Sequence, residues 1–151
     1  MVRFRNAQQE DLTCLVHLLA DDPLGRDRED KTQPLDERYQ QAFQTILSNA
    51  QNQMIVAELD NEVVGMCQLT FIPYLTHKGG WRCLIEGVRV KATVRGLGVG
   101  TALIHYALDL AKASNCIMVQ LTSDKSRPEA IAFYRRLGFR DSHEGLKLLI
   151  G

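Results

Sequence analysis

No apolar run in this chain approaches the ~20 residues needed to span a bilayer, and the opening MVRFRNAQQEDL lacks the long apolar core of a secretion signal. Both absences point to a cytoplasmic chain with no membrane partner. An excess of one charge is also missing: Lys and Arg together number 18, and so do Asp and Glu. Such a surface has no net field to gather nucleic acid, so none is expected as a partner. The cysteines, Cys14, Cys67, Cys83 and Cys116, show neither paired nor metal-like spacing, and three of them sit in apolar runs. They read as reduced core residues. His17, His105 and His143 are scattered without ligand spacing, so no metal site is expected. Nothing repeats internally and no low-complexity linker divides the 151 residues, the length of a single domain.

What stands out instead is VRVKATVRGLGVGT, Val88 to Thr101. An alternating apolar run passes through a short basic link into Gly96, Gly98 and Gly100, and a helical pattern follows. Glycines at every second position let the backbone turn tightly with no Cβ in the way, so successive N–H groups can point at one oxygen-rich ligand. The helix behind them adds its unpaired first amides and the positive end of its dipole. A diphosphate suits such a cradle. It is not a Walker loop, because Gly100 is followed by Thr101 and Ala102 with no lysine to reach a terminal phosphate. Nor does it match the dinucleotide fingerprint, whose third glycine lies three residues beyond the second.

The remaining pattern, Arg-x-x-Gly-x-Gly from Arg95 to Gly100, resembles the GNAT superfamily of acyl-CoA-dependent N-acyltransferases. A second stretch, Ala130-Ile131-Ala132-Phe133-Tyr134-Arg135-Arg136-Leu137-Gly138-Phe139, is similar to that family's Ala-x-x-Phe-Tyr-x-x-x-Gly-Phe segment. The resemblance implies a mixed α+β fold, with a central, mostly antiparallel sheet of six to seven strands flanked by about four helices. It also implies acetyl-CoA as co-substrate, with the pyrophosphate held by Arg95, Gly96, Leu97, Gly98, Val99, Gly100 and Thr101. The pantetheine arm would lie along the fourth strand, at Val88, Arg89 and Val90. The implied activity is acetyl transfer to a primary amine, probed first as that of a small molecule. Protein lysines or N-termini are the alternative acceptors, and a non-catalytic acyl-CoA-binding regulatory module is a third reading. Some stretches, notably Gly65-Met66 and Trp81 to Gly100, are loosely similar to aminoalkylphosphonate acetyltransferases. Dimers are common in the family, so a homodimer is a further expectation.

The pattern along the chain suits that plan. A strand at Val2–Arg5 precedes a helix started by Gln8-Gln9-Glu10-Asp11 and ended before Pro23. Residues 21–38, dense in charge and broken by Pro23, Gly25 and Pro34, read as a loop or the start of a second helix. Leu35 to Ser48 reads as helix, with Tyr39, Phe43, Ile46 and Leu47 on one side. Gln53–Leu59 and Glu62–Ile72 are strands joined by Asp60-Asn61, a hairpin signal. A strand at Arg82–Val90, a helix at Gly98–Ala113 and a strand at Ile117–Thr122 follow. Ser126-Arg127-Pro128-Glu129 has the form of a capping box for a helix ending at Leu137, with Gly138 as a left-handed stop. Phe139 to Ile150 supplies the last strands.

Two residues carry the expected chemistry. Tyr134 has a phenol able to protonate a departing thiolate, and the resemblance places the matching tyrosine beside the thiol; otherwise it is an aromatic anchor, as Phe133 is. Glu86 shares strand parity with Leu84, Val88 and Val90, which puts a carboxylate among apolar neighbours. Burial there would raise its pKa toward that of a working base, directly or through a water. The alternative is a salt bridge to Arg82 or Arg89. Arg127 departs from the asparagine many family members carry at this helix start, and is either a charged fork for phosphate or a solvated side chain. Tyr74, His77 and Trp81, with the acidic Asp21, Asp22, Asp27, Glu29, Asp30, Asp36 and Glu37, are candidates for the acceptor wall, and His77 is a second candidate base. Cys83 as a covalent relay has no histidine nearby in sequence to lower its pKa.

Overall fold

The computed structural model describes residues 1–151, which form two compact units, Met1–Gln120 and Leu121–Gly151. In the first, β1 (Arg3–Asn6), β2 (Asn52–Leu59), β3 (Glu62–Pro73), β4 (Trp81–Val90) and β5 (Met118–Gln120) form one sheet in sequential order. The first four run antiparallel, and β5 joins β4 in parallel. The sheet therefore has five strands, not six to seven. The missing ones are those expected over Phe139–Ile150, which takes no regular structure. Alternating apolar residues form a strand only beside another strand, and this segment has none.

Local chemistry sets the connections. Asp60 and Asn61 take left-handed φ values of 52° and 63°, so Leu59 pairs directly with Glu62 across a two-residue turn. The first helix, α1 (Leu12–Ala20), follows a 3-10 turn, Gln9–Asp11. Asp22 then caps α2 (Pro23–Arg28) by accepting from the amides of Leu24 and Gly25, both at 2.8 Å. Any Cβ at Gly25 would lie 1.8 Å from the carbonyl oxygen of Leu19, so only glycine lets α2 fold back onto α1. Asp36 likewise caps α3 (Glu37–Ser48). The single turn α4 (Thr76–Gly79) is left-handed at His77, Lys78 and Gly79. Helix α5 (Val99–Ala113) ends the glycine segment. With α6 (Pro128–Arg136) there are six helices where about four were expected, the extra ones being the short turns α2 and α4.

Hydrophobic burial divides between the two faces of the sheet. Leu12, Leu15, Val16 and Leu18 of α1 and Phe43 of α3 pack with Met54, Val56 and Met66. Ala57, Val64 and Val99 form a second cluster, joined by Phe4 and Val94. Leu103, Ile104, Ala107 and Ala111 give α5 its buried stripe. Each fully buried leucine or valine contributes about 1.5–3 kcal/mol. Leu47, expected on the inner side of α3, is exposed. Cys67 and Cys83 are buried, and burial pushes both thiols up to about 12. No helix is long and apolar enough to cross a membrane.

The second unit contains α6. Its expected capping box does not form, because Ser126 donates its hydroxyl to Asp124 (2.7 Å) and Arg127 occupies the N-cap position without a side-chain bond. The expected stop does form. Gly138 has φ 99°, its amide bonds the carbonyl of Arg135 (3.0 Å), and the Phe139 amide bonds that of Tyr134 (3.1 Å).

A polar knot fastens β1 to the first helical turn. Arg5 donates to both carboxylate oxygens of Asp11 (2.8 and 3.0 Å), the Gln8 amide donates to the same carboxylate (2.6 Å), and Glu58 completes the group at 3.2 Å from Arg5. The Arg5 hydrogen bonds hold the Asp11 carboxyl below its usual range, against the opposing effect of burial. A depressed carboxyl contributes stability above its unfolded pKa, lost as pH falls through the folded one. Asp11→Asn should therefore cost about 1–3 kcal/mol at pH 7, and the gap from the parent should shrink below about pH 4. Urea unfolding at both pH values checks this, and an undiminished gap in acid would refute the linkage.

Candidate active site

Strand β4 is paired on both sides only over its first half. Arg82, Cys83 and Leu84 face Met118, Val119 and Gln120 of β5, and β5 ends there. From Ile85 to Val90 no strand lies on that side. The half-open stretch also changes register against β3. Gln68 pairs with Glu86 and Met66 with Arg89, so Gly87 and Val88 together oppose Cys67. Gly87 takes φ 62°, the left-handed glycine of a β-bulge. Sequence reasoning missed this residue. The available signal was a lone glycine inside an apolar strand pattern.

The exposed edge leads into the glycine cradle. After a 3-10 turn, Ala92–Val94, the chain takes φ 84° at both Gly96 and Gly98, and Gly98 caps α5 in the left-handed region. The amides of Gly96, Gly98, Val99, Gly100 and Thr101 make no main-chain hydrogen bond. Nothing lies within 4 Å of the place where a Cβ at Gly96 or Gly98 would stand, so the turn is open to a ligand. Gly100 is already helical, so only Gly96 and Gly98 of the three take a positive φ. Leu97 and Arg95 are exposed, and the Arg95 side chain donates to the carbonyl of Val90 (3.3 Å).

Close packing fixes this cradle to the end of β4. Val99 is buried in the cluster with Ala57 and Val64, and Gly65, which pairs with Val90, lies close to β4: a Cβ there would come within 3.2 Å of the Arg89 carbonyl and would touch Val99 Cγ1 at 3.7 Å. Gly65 is thus a second supporting glycine whose role was not visible in the sequence. Arg89 reaches across to Asp22, Nε to Oδ2 at 2.6 Å with both side chains buried, tying the α1–α2 connection to β4 beside the bulge. Its side chain is thereby committed, and its Nη1 also donates to the Val88 carbonyl (2.9 Å). Val88 and Val90 are half-buried on the same edge.

Glu86 lies on the open half of β4 but is exposed, and its carboxylate forms no ion pair. The expectation that apolar neighbours bury it is not met, because nothing covers that face at its position. Neither suggested partner is available: Arg89 holds Asp22, while Arg82 donates to Thr76 (2.9 Å) and Gln120 (3.1 Å) and stacks 4.2 Å over the Tyr74 ring. Tyr74, His77 and Trp81 stand at the start of β4, whereas the cradle follows its end. At about 3.3 Å per residue, Trp81 lies about 16 Å from Glu86 along the strand. Cys83, buried with its thiol pushed up to about 12, is no nucleophile.

Most of the acidic cluster is also spoken for. Asp22 and Asp36 cap helices, Glu29 accepts from the Tyr39 hydroxyl (2.9 Å), and Asp30 accepts from the Thr32 amide (2.9 Å). Glu29, Asp30 and Asp36, with Arg28, Arg38 and Tyr39, line a depression of about 270 Å³. A second depression, about 290 Å³, is lined by Gln53, Phe71, Trp81 and Ser114 at the far end of β4. The cradle itself is an open slot rather than a cavity. In the second unit, Tyr134 is half-buried, its ring edge-on to Phe133 (5.1 Å) and Phe139 (5.7 Å), and Arg127 is half-buried at the start of α6. No cluster of side chains suits a metal ion.

Comparison with known proteins sets this geometry in context. A glucosamine 6-phosphate N-acetyltransferase from Trypanosoma brucei brucei is 36% identical over 87 residues, 57% of this chain and 56% of that protein. An aminoalkylphosphonate N-acetyltransferase from Salmonella typhimurium (strain LT2) is 30% identical over 84 residues, 56% of this chain and 54% of that one. The chain thus spans about half the length of these curated relatives. Among crystal structures, a transcriptional regulator from Bacillus halodurans C-125 is 49% identical, with TM-score 0.97 over 99% of this chain and 100% of the other. A predicted acetyltransferase from Clostridium acetobutylicum, solved with acetyl-CoA, is 26% identical, with TM-score 0.75 over 99% and 96%. The model of the acetyltransferase (GNAT) family matches residues 13–139. That match begins at the second residue of α1 and runs one residue past Gly138, taking in the bulged strand, the cradle and the whole of α6, and the chain belongs to this family.

Proposed function

We propose that this protein transfers an acetyl group from acetyl-CoA to the primary amine of a small molecule. The observation that carries the reading is the set of amides at Gly96, Gly98, Val99, Gly100 and Thr101 without a main-chain partner, beyond the end of an unpaired strand edge. Those amides and the N-terminus of α5 suit a diphosphate. The edge from Ile85 to Val90 has no strand beside it, so an extended amide-bearing arm could lie along it as an added strand, taking over the Val88 and Val90 carbonyls that here accept from the side chains of Arg89 (2.9 Å) and Arg95 (3.3 Å). The solved neighbour with acetyl-CoA and the acetyltransferase family itself support the same co-substrate. Both named relatives pair an amine with a phosphorus oxyanion, glucosamine 6-phosphate in one and an aminoalkylphosphonate in the other. Amines bearing such a group are the acceptors to test first.

In the proposed reaction, the neutral amine attacks the thioester carbonyl, a base takes the proton it sheds, the C–S bond breaks, and the sulfur leaves as a thiolate that must be protonated. Glu86, on the unpaired half of β4 and free of competing partners, is assigned the base. Its exposure favours relay through a water and rapid return of the proton to solvent. Tyr134 is assigned the acid. The bulge at Gly87 frees main-chain donors from the ladder, and such donors can stabilise the oxyanion. Arg95 and Arg127 are assigned to phosphate contact.

The crystal structure named a transcriptional regulator supports a second reading, in which the fold binds acyl-CoA without turnover. The balanced charge of the chain lends no electropositive field to DNA. Acetylation assays over a panel of aminoalkylphosphonates, amino sugar phosphates, polyamines and lysine peptides separate the readings, and no turnover with any amine despite acetyl-CoA binding would favour the regulator.

Gly98→Val places a β-branched residue at φ 84° and a side chain in the ligand's approach. It should weaken coenzyme A binding at least about tenfold, or 1.4 kcal/mol; full affinity in titration calorimetry would sink the cradle. Tyr134→Phe and Glu86→Gln should each lower kcat by about 10²-fold or more, with the KM for acetyl-CoA little changed. Unaltered kcat in either variant would strip that residue of its assigned role.

A further inference from the structure

Two main-chain carbonyls on the open half of β4 are already covered by arginine side chains, and the two arginines are held very differently. Arg89 Nη1 donates to the Val88 carbonyl at 2.9 Å, while its Nε is fixed on the buried carboxylate of Asp22 at 2.6 Å. It cannot leave without stranding a buried charge. Arg95 is exposed, has no carboxylate partner, and donates through Nε to the Val90 carbonyl at 3.3 Å, longer than the usual N–H···O bond. Lys91, the nearest other cation along the chain, is spent on Glu62.

The Val90 carbonyl faces the open edge. The Lys91 amide donates to the Val64 carbonyl (2.7 Å), so Lys91 turns its polar groups toward β3, and by alternation Val90 turns its own away from it. An added strand would bring an amide nitrogen to about 2.9 Å from that oxygen, and Arg95 Nε takes that donor's part. Arm and guanidinium compete for one place, so Arg95 must let go before an extended arm can pair with Val90. What it gains by letting go depends on the ligand. Arg95 immediately precedes the cradle amides, so a diphosphate held by them gives the guanidinium charged oxygens in place of one neutral carbonyl. A bare pantetheine thioester gives it only water. We propose that Arg95 latches the arm-binding edge of β4 and that the diphosphate of the carrier releases it, so that the protein selects acyl carriers bearing a diphosphate over those with pantetheine alone. This inference rests on the acetyl-CoA reading and deepens it: phosphate site and arm site become coupled, each ligand part favouring the open latch for the other.

Arg95→Ala should move two affinities in opposite directions. In nitrogen–proton correlation spectra of labelled protein, pantetheine should bind the variant about two- to tenfold more tightly than the parent, the worth of one ordinary hydrogen bond that no longer has to be displaced. Coenzyme A should bind the variant about three- to tenfold more weakly, through loss of a charged contact. Inorganic pyrophosphate, by drawing the latch away, should tighten pantetheine binding to the parent and leave that of the variant unmoved. Coenzyme A binding to the parent, together with a pantetheine affinity that neither the substitution nor pyrophosphate raises, overturns the latch and leaves the acetyl-CoA reading standing. A parent that binds neither coenzyme A nor pyrophosphate sinks that reading, and the latch with it.

Discussion

The half-finished pairing of β4 governs the candidate site. A strand interior to a sheet normally spends its N–H and C=O groups on two neighbours. Here β5 stops at Gln120, opposite Leu84, while β4 runs on to Val90. The remaining edge stays bare, and just past it the backbone turns through Gly96 and Gly98 into the start of α5, where another set of amides is left over. Strand edge and helix start are separated only by the 3-10 turn Ala92–Val94 and the glycine segment, so their main-chain groups lie close along the sequence. Under the proposed function this is why side-chain identity matters little along the edge, and why the glycines matter more than Arg95.

Holding that edge in place falls to residues with no part in the chemistry. Val99, buried against Ala57 and Val64, fastens the start of α5 to the sheet, and Gly65 gives the Arg89 carbonyl room beside it. The buried Asp22–Arg89 pair does the corresponding work on the other side, joining the α2 cap to β4 just past the bulge. A buried ion pair yields little net stability, because desolvation offsets much of the attraction. Its value here is geometric: one carboxylate fixes both the N-terminus of α2 and the guanidinium of β4. Arg5, Asp11 and Glu58 play the same part at the other end of α1.

What could be read from the sequence was what local chemistry decides. Asp60-Asn61 specifies its turn, Gly138 its left-handed stop, and the glycine repeat its open loop, because each depends on backbone preferences a few residues wide. The bulge was signalled only by the lone Gly87 in LIEGVRV, a run that otherwise reads as an unbroken strand. Glu86 shows the limit of parity reasoning: alternation tells which face a side chain joins, not whether anything covers that face. The acidic run misled in the opposite way. Asp22 and Asp36 looked like a field for a cationic substrate but are occupied by helix amides, a use that only tertiary placement reveals.

The failed strand expectation over Phe139–Ile150 has a different cause. The pattern Leu146-Lys147-Leu148-Leu149-Ile150 is as strand-like as any in the chain, and the missing element is a neighbour, not a propensity. A sheet of this order ends in two edges, β1 and β5. β1 carries Arg3 and Arg5, charges of the kind that discourage further pairing. β5 has no charge in Met118-Val119-Gln120, but at three residues it is too short to make a good template for another strand.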